Sequence, residues 1–177
     1  MVKYVIYSLK QRKDMEKIYG AVSAQNSLTK VGRNEYEIIF GYGVDENGGY
    51  NWRKRYDHKP TIAEIRMDVE KQINEETDGK ILSGFEWNGI KVWLSLENQI
   101  NFKAAYDLAV QTDGETLPKK LKLGEDGEGK PIYHVFESVS EFSEFFKLAV
   151  SYIEETIQRG WDEKDGVNYG DYEDGAD

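Results

Sequence analysis

The first 59 residues alternate between apolar and polar side chains with a period of two, which is typical of strands that have one covered face. Turn-rich stretches such as Gln25-Asn26-Ser27 and the run from Val44 to Gly49 separate the alternating segments. Four strands are therefore predicted, over Val2–Leu9, Ile18–Ala24, Glu35–Tyr42 and Tyr50–Asp57.

The last two of these strands predict their own register. If they pair antiparallel with Tyr42 opposite Tyr50, then Phe40 faces Trp52 on one side of the sheet. On the other side Glu37 then lies opposite Arg55, so aromatic rings point inward and opposite charges point outward.

A helix is predicted to follow the sheet, because Pro60 cannot donate to a strand ladder and the residue before it disfavours helix. Thr61 and Glu64 form a capping box, and apolar residues recur at helical spacing to about Glu76. Ser95 is a good N-cap for a second helix that runs to about Gln111. The predicted inner side of this second helix consists of Ile100, Ala104, Ala105, Leu108 and Ala109.

The Asn88-Gly89 dipeptide lies between alternating apolar residues and predicts a type I′ hairpin with a two-residue turn. The register pairs Trp87 with Ile90 and Glu86 with Lys91, the latter as a cross-strand ion pair. One face of the hairpin is then apolar: Phe85, Trp87, Ile90, Val92 and Leu94. The other face carries Glu86, Lys91 and Trp93, so Trp93 is predicted to point away from the core.

Two further strands, Leu117–Leu123 and Pro131–Glu137, are predicted around a glycine-rich turn. Ser138 begins a third, strongly amphipathic helix that is predicted to end near Arg159-Gly160, with glycine at C′. The order of elements predicts an α+β fold, in which an N-terminal antiparallel sheet precedes a helix–hairpin–helix–hairpin–helix unit. The predicted division is a β region over 1–59, an α+β domain over 60–168 and a disordered acidic tail over 169–177.

The formal net charge of −10 repels phosphate backbones and anionic lipid, so neither a nucleic acid nor a membrane is an expected partner. The chain has no cysteine, which excludes disulfides, thiolate metal sites and cysteine nucleophiles and fits a reducing compartment. No apolar run is long enough for a signal peptide or a membrane span.

Candidate catalytic groups are few. The two histidines, His58 and His134, stand apart from each other and from any cluster, so hydrogen-bonded structural imidazoles are expected at both positions. The acidic stretches Asp45-Glu46-Asn47 and Asp171–Asp177 lack the ligand spacing of a calcium loop, and they are interpreted as a solvated turn and tail. A glycosidase-type carboxylate pair is neither indicated nor excluded. No catalytic, cofactor or metal site is therefore predicted, and the chain is expected not to be an enzyme.

The four Trp and twelve Tyr suit either a core rich in rings or a surface that binds sugars or proteins. Most of them are expected in the core. The predicted interaction surface consists of Trp93, Glu86 and Lys91 on the polar hairpin face and of Trp161 after the last helix.

The segment from Thr61 to Asp165 resembles a domain of unknown function recurrent in phage and prophage proteins, often encoded beside tail-fibre and tail-fibre-assembly genes. The matching features are the helix from Ile65-Arg66 to Thr77-Asp78, the Gly84–Gly89 hairpin, the Trp93–Gln99 run, Asn101–Ala105 and a closing helix that ends in Glu163-Lys164. The N-terminal strands do not match that domain.

The resemblance implies a non-enzymatic phage or prophage structural or assembly protein, which binds other phage proteins or itself and needs no cofactor. Its expected location is the bacterial cytoplasm during assembly, with retention in the finished virion left open. The proposed contacts are the Gly84–Ser95 hairpin and the outer edge of the N-terminal sheet. Two alternatives are kept. One is a carbohydrate-binding module of a host-recognition fibre, with Trp93, Trp52 and Tyr residues as stacking platforms, and the other is a hydrolase with a carboxylate pair in a cleft.

Overall fold

The computed structural model describes residues 15–173 and has an α+β fold, as predicted. The strands are β1 (Glu16–Tyr19), β2 (Ser27–Lys30), β3 (Tyr36–Asp45), β4 (Gly48–Tyr56), β5 (Phe85–Trp87), β6 (Ile90–Val92), β7 (Lys119–Glu125) and β8 (Pro131–Phe136). The helices are α1 (Ile62–Ser83), α2 (Leu96–Gln111), α3 (Val139–Asp165) and a final 3-10 helix (Tyr169–Tyr172). Within the described residues, no helix combines the length and apolar character that a membrane span requires.

The chain divides into two compact units. Unit 1 consists of Met1–Gln72 and Gly166–Asp177, as far as these residues are described, and unit 2 of Ile73–Asp165. The division differs from the prediction in two ways: the boundary falls within α1 instead of before it, and the C-terminal residues rejoin the N-terminal sheet.

Unit 1 is built on an antiparallel sheet with the strand order β1-β4-β3-β2. Phe40 lies opposite Trp52 and Glu37 opposite Arg55, as predicted. The predicted pairing of Tyr42 with Tyr50 is wrong, because the register shifts between Phe40 and Gly43. Gly41 adopts a positive φ of 65° there, and Tyr50 instead pairs with Gly43, where an added Cβ would lie 2.4 Å from the Tyr50 ring.

The outer strands of this sheet differ most from the predicted ones. The strand expected over 18–24 is the shorter β1, which ends before Gly20, a residue with a φ of 95°. β2 differs from the prediction of a turn at Gln25-Asn26-Ser27, because Ser27 is already the first residue of this strand. The strand predicted over Val2–Leu9 lies outside the described residues.

The capping box at the start of α1 is confirmed. The Glu64 side chain accepts from the Thr61 N–H at 2.8 Å, and Thr61 Oγ1 accepts from the Glu64 N–H at 3.2 Å. Ile65, Val69 and Ile73 are buried at the predicted helical spacing. The helix extends seven residues beyond the predicted end at Glu76.

In unit 2 the hairpin has the predicted turn and register. Asn88 and Gly89 have φ values of 50° and 76°, Trp87 pairs with Ile90 and Glu86 with Lys91. The predicted ion pair between Glu86 and Lys91 is wrong: within the described part of the chain neither side chain has a hydrogen bond or ion pair. Both side chains are exposed to water, which favours separate solvation.

The N-cap of α2 is confirmed, because Ser95 Oγ accepts from the Asn98 N–H at 3.3 Å. Its predicted inner side is only partly right. Ala109 is buried and Ala105 packs against the core, whereas Ile100 and Leu108 are exposed. Phe102 is the main buried residue, with its ring centre 5.4 Å from that of Phe145, so the large aromatic ring determines which face of α2 is covered.

α3 covers the inner faces of both hairpins of unit 2. Phe142 and Phe145 of α3 are fully buried, with ring centres 4.2 Å from Phe136 and 5.1 Å from Trp87, respectively. The helix does not end at Gly160, as had been predicted. Gly160 is buried against Thr77 of α1, where an added Cβ would lie 2.5 Å from the Thr77 hydroxyl oxygen. This glycine therefore serves close helix packing instead of termination.

The prediction of a disordered tail from residue 169 is wrong for the described part of that tail. Tyr172 of the 3-10 helix is only 1% exposed, and its hydroxyl donates to the Ile39 carbonyl at 3.4 Å. The Arg66 guanidinium lies 4.2 Å from the centre of the Tyr169 ring. The burial of Tyr172 offsets the conformational entropy lost when this segment is ordered, which the neighbouring acidic residues and glycines could not do. Residues 174–177 lie outside the described residues.

Candidate functional site

Three of the four predicted interaction residues share one surface. Glu86 and Lys91 face each other across the β5–β6 hairpin, and Trp93 follows β6 on the same face with 44% of its surface exposed. Trp161 is also exposed, at 55%, but it belongs to α3 and not to the hairpin. The structure therefore groups Glu86, Lys91 and Trp93 and leaves Trp161 on a separate element.

The backbone of Trp93 is held on both sides. Its N–H donates to the Leu123 carbonyl at 2.7 Å, and its carbonyl accepts from the Asn98 side chain at 2.8 Å. The first bond links β6 to β7, and buried Gly124 permits this close approach, since a Cβ there would lie 2.5 Å from the Lys91 carbonyl oxygen. Trp93 is thus an exposed ring on a fixed backbone.

The second hairpin extends this surface. β7 lies beside β6, and the inner residues of both hairpins belong to one hydrophobic core, so their opposite sides both face away from it. Tyr133 and Val135 of β8 lie on that outward side with 50% and 38% of their surfaces exposed. Lys120 of β7 places its ammonium group 4.4 Å from the Tyr133 ring centre. We define the outer sheet face as Glu86, Lys91, Trp93, Lys120, Tyr133 and Val135.

Sequence reasoning missed the half of this face that β7 and β8 supply. The signal was present in the alternation of Pro131–Glu137, where assigning Ile132 and Phe136 to the core places Tyr133 and Val135 on the opposite side. Nothing local in the sequence indicates that the two hairpins lie side by side, because that depends on the close approach at Gly124.

His134 lies beneath the outer sheet face, on the core side of β8. Its Nε2 lies 2.8 Å from Glu141 Oε1, and its ring centre lies 4.8 Å from that of Trp87 and 4.7 Å from that of Phe136. The Glu137 N–H, and secondarily the His134 ring, lower the pKa of Glu141. This is the hydrogen-bonded, packed imidazole that the sequence predicts.

Unit 1 contains a groove of about 240 Å³ between β4 and α1. Three of its polar side chains bind one another. Lys54 Nζ lies 2.5 Å from Asp68 Oδ1, and the Tyr56 hydroxyl donates a hydrogen bond to Asp68 Oδ2 at 2.6 Å. Burial, and secondarily the bond to Asp68, raise the pKa of Tyr56. Tyr56 therefore remains a protonated donor near neutral pH and does not act as a base.

His58 lies beside this groove, between two carboxylates. Its Nδ1 is 3.0 Å from Asp57 and its Nε2 is 3.1 Å from Glu64. These hydrogen bonds, that of Asp57 first, raise the pKa of His58, while the Thr61 N–H lowers the pKa of Glu64. The histidine thus bridges the end of β4 and the cap of α1, as a structural imidazole would.

The hydrolase alternative needs a cleft with a carboxyl group whose pKa is raised. Glu64, in the groove of unit 1, has a lowered pKa. A raised pKa occurs at Glu163 of α3, where partial burial and the charge of Glu76 disfavour ionisation, but this residue belongs to unit 2 and not to the groove. The groove of unit 1 thus contains no carboxyl group for which a raised pKa is indicated. Among residues 15–173, no group of three or more acidic or imidazole side chains is arranged to hold a metal ion.

Comparison of the chain with protein-family models, curated proteins and solved structures found no match.

Proposed function

We propose that this chain is a non-enzymatic phage or prophage protein, structural or assembly-related, that binds another protein chain through the outer sheet face. The observation that carries the proposal is the exposed Trp93 ring on a backbone fixed by two hydrogen bonds. Exposed aromatic anchors on rigid strands lose little conformational freedom on binding, and tryptophan and tyrosine are enriched among the residues that dominate binding energy.

Charge defines the chemistry of the partner. The outer sheet face carries two positive charges, Lys91 and Lys120, and one negative charge, Glu86. It is therefore net positive, although the chain has a net charge of −10. Neither Lys91 nor Glu86 has an internal hydrogen bond or ion pair within the described residues, so both are available to a partner. The face therefore suits a protein surface with an apolar centre and acidic groups placed to meet the two lysines.

The proposed class of partner comes from the resemblance. The resembling segment, Thr61–Asp165, includes all of unit 2 and hence the whole outer sheet face. We therefore propose that the partner is a phage tail structural or tail-fibre-assembly protein. The two proteins would meet in the bacterial cytoplasm during assembly, and the complex would then be retained in the finished virion.

The test is a binding titration of the full chain against the tail-fibre and tail-assembly proteins of the same phage or prophage. Trp93→Ala is expected to weaken binding about 30-fold or more, corresponding to the roughly 2 kcal/mol of a dominant interface residue. Lys91→Glu is expected to slow association, especially at low salt. Trp161→Ala is the matched control, since it removes an exposed tryptophan from α3, and it is expected to leave affinity unchanged. Absence of binding to every tail protein, or equal affinity of the Trp93→Ala variant, contradicts the proposal.

Carbohydrate binding remains the second candidate, because Trp93 and Tyr133 both expose rings that can stack on sugars. The other proposed platform is less suited: Trp52 is half-buried and has its ring centre 5.4 Å from that of Tyr50. Glycan-array binding that Trp93→Ala abolishes, in the absence of a protein partner, would favour this candidate.

A further inference from the structure

β8 forms the outer edge of the second hairpin of unit 2. It pairs with β7 on one side, and the described part of the chain places no strand on its other side. Every second residue of such an edge strand directs its N–H and C=O groups outward, which makes the edge a template for another strand.

The edge of β8 lacks the features that normally prevent such pairing. Residues 131–136 include no Lys, Arg, Asp or Glu, and His134 is directed inward to Glu141. Pro131 blocks only the first position. The two edge strands of the unit 1 sheet differ, because β1 and β2 have four residues each and carry charged side chains. β8 is therefore longer than either of those edges and carries no formal charge apart from any on His134.

The side chains of β8 complement a second copy of the same strand. In an antiparallel pair centred on His134, Tyr133 of each copy lies opposite Val135 of the other, on the outward face where both are exposed. On the core side, Ile132 of each copy lies opposite Phe136 of the other. The contact closes on itself by two-fold symmetry. At its centre the His134 rings of the two copies lie opposite each other, each 2.8 Å from Glu141 of its own chain. No Lys, Arg, Asp or Glu of residues 131–136 faces a like charge, and the Tyr133 ring of each copy is covered by Val135 of the other.

We propose that β8 pairs with β8 of a second copy, so that the β7–β8 hairpins of two chains join into one continuous antiparallel sheet. This dimer goes beyond the function proposed above, because it uses the strand edge and requires no other protein. It would place two outer sheet faces side by side in one assembly.

The absence of cysteine allows a direct test of the register in the full chain. Tyr133→Cys and Val135→Cys are prepared as single variants, oxidised alone and oxidised as an equimolar mixture. Directly opposite residues reach disulfide distance, whereas two copies of the same residue are offset by two positions along the strands and lie about 8 Å apart, beyond the bridging limit of about 7 Å. The mixture is therefore expected to yield about tenfold more covalent dimer than either variant alone.

Sedimentation equilibrium of the unmodified chain provides the second measurement. The chain is expected to dimerise with rising concentration, and Val135→Lys is expected to shift it to monomer, because each copy would then have a lysine on the paired edge. Val44→Lys is the matched control, since it places the same charge on an exposed valine of β3 and is expected to leave the dimer intact. Circular dichroism verifies that both variants are folded.

The dimer would be overturned by a chain that stays monomeric at high micromolar concentration, by a dimer that Val135→Lys leaves intact, or by equal cross-linking of the single variants and the mixture. A monomer that instead takes an extended strand of another protein at β8 also overturns self-pairing. None of these outcomes bears on the Trp93 titration, so failure of the dimer and failure of the proposed function are distinguishable.

Discussion

Removal of the Tyr172 side chain is expected to destabilise unit 1 selectively. Tyr172 belongs to the short 3-10 helix near the C-terminus, is 1% exposed and donates to the Ile39 carbonyl of β3. Truncation of a fully buried aromatic side chain to alanine typically costs about 3 to 5 kcal/mol. The hydrogen bond contributes little of this, because its 3.4 Å length is near the limit for such a bond. Tyr172→Phe, which retains the ring, is therefore expected to cost less than about 1 kcal/mol.

Native-state hydrogen exchange with peptide resolution can measure this effect in each unit separately. Amides of β2 and β3 are expected to exchange faster in Tyr172→Ala by a factor that corresponds to the lost stability, while amides of α2 in unit 2 provide the internal reference. Tyr133→Ala is the matched control, since it truncates an exposed tyrosine, and its exchange in β2 and β3 is expected to match that of the unmodified chain.

The reasoning fails if Tyr172→Ala changes the local stability of β2 and β3 by less than about 1 kcal/mol, well below the cost of emptying a closed aromatic site. It also fails if Tyr172→Phe is as damaging as alanine, since the hydroxyl, and not ring burial, would then hold the tail. In the first case the acidic C-terminal residues would be dispensable, as their composition alone predicts.

Three further predictions concern single positions. Gly124→Ala is expected to destabilise the chain by about 1 to 3 kcal/mol in urea unfolding, because its Cβ would collide with backbone, whereas Gly127→Ala, in open space, is expected to cost less than about 1 kcal/mol. Gly79→Ala, in open space within α1, is expected to stabilise by up to about 1 kcal/mol. The pKa of His58 is raised, so its stabilising contribution is present below about 6.5 and is lost as pH rises through the folded value. In an NMR titration Glu64→Gln should lower that pKa, and a His58 pKa at or below 6.5 in the unmodified chain would refute the assignment.

The parts of the fold that were predicted correctly depend on short-range chemistry. Asn88-Gly89 requires positive φ at two successive residues, and that requirement alone determines the turn, the pairing of Trp87 with Ile90 and the outward position of Trp93. The capping box of Thr61 and Glu64 is determined in the same way, since both partners lie within one helical turn. Features of this kind are visible in sequence because their partners are close along the chain.

The incorrect predictions share a different cause. In each case, contacts with residues distant in sequence determine the structure that the local sequence pattern adopts. Gly160 has the composition of a helix end, yet α3 continues through it because its missing side chain makes room for Thr77, more than eighty positions earlier. Gly41 introduces a bulge that moves Tyr42 out of the predicted pair, although the alternation around it is regular. Tyr172 is surrounded by acids and glycine, and only its burial in unit 1 explains why that stretch is ordered.

The same distinction separates the two halves of the outer sheet face. Trp93 could be identified from sequence because its position follows from a turn five residues away, whereas Tyr133 and Val135 gain their role only when the second hairpin lies beside the first. That arrangement depends on Gly124, at which any side chain would meet the carbonyl of Lys91. A substitution at this buried glycine is therefore expected to separate the two halves of the binding face, and to weaken partner binding without altering any residue that the partner contacts.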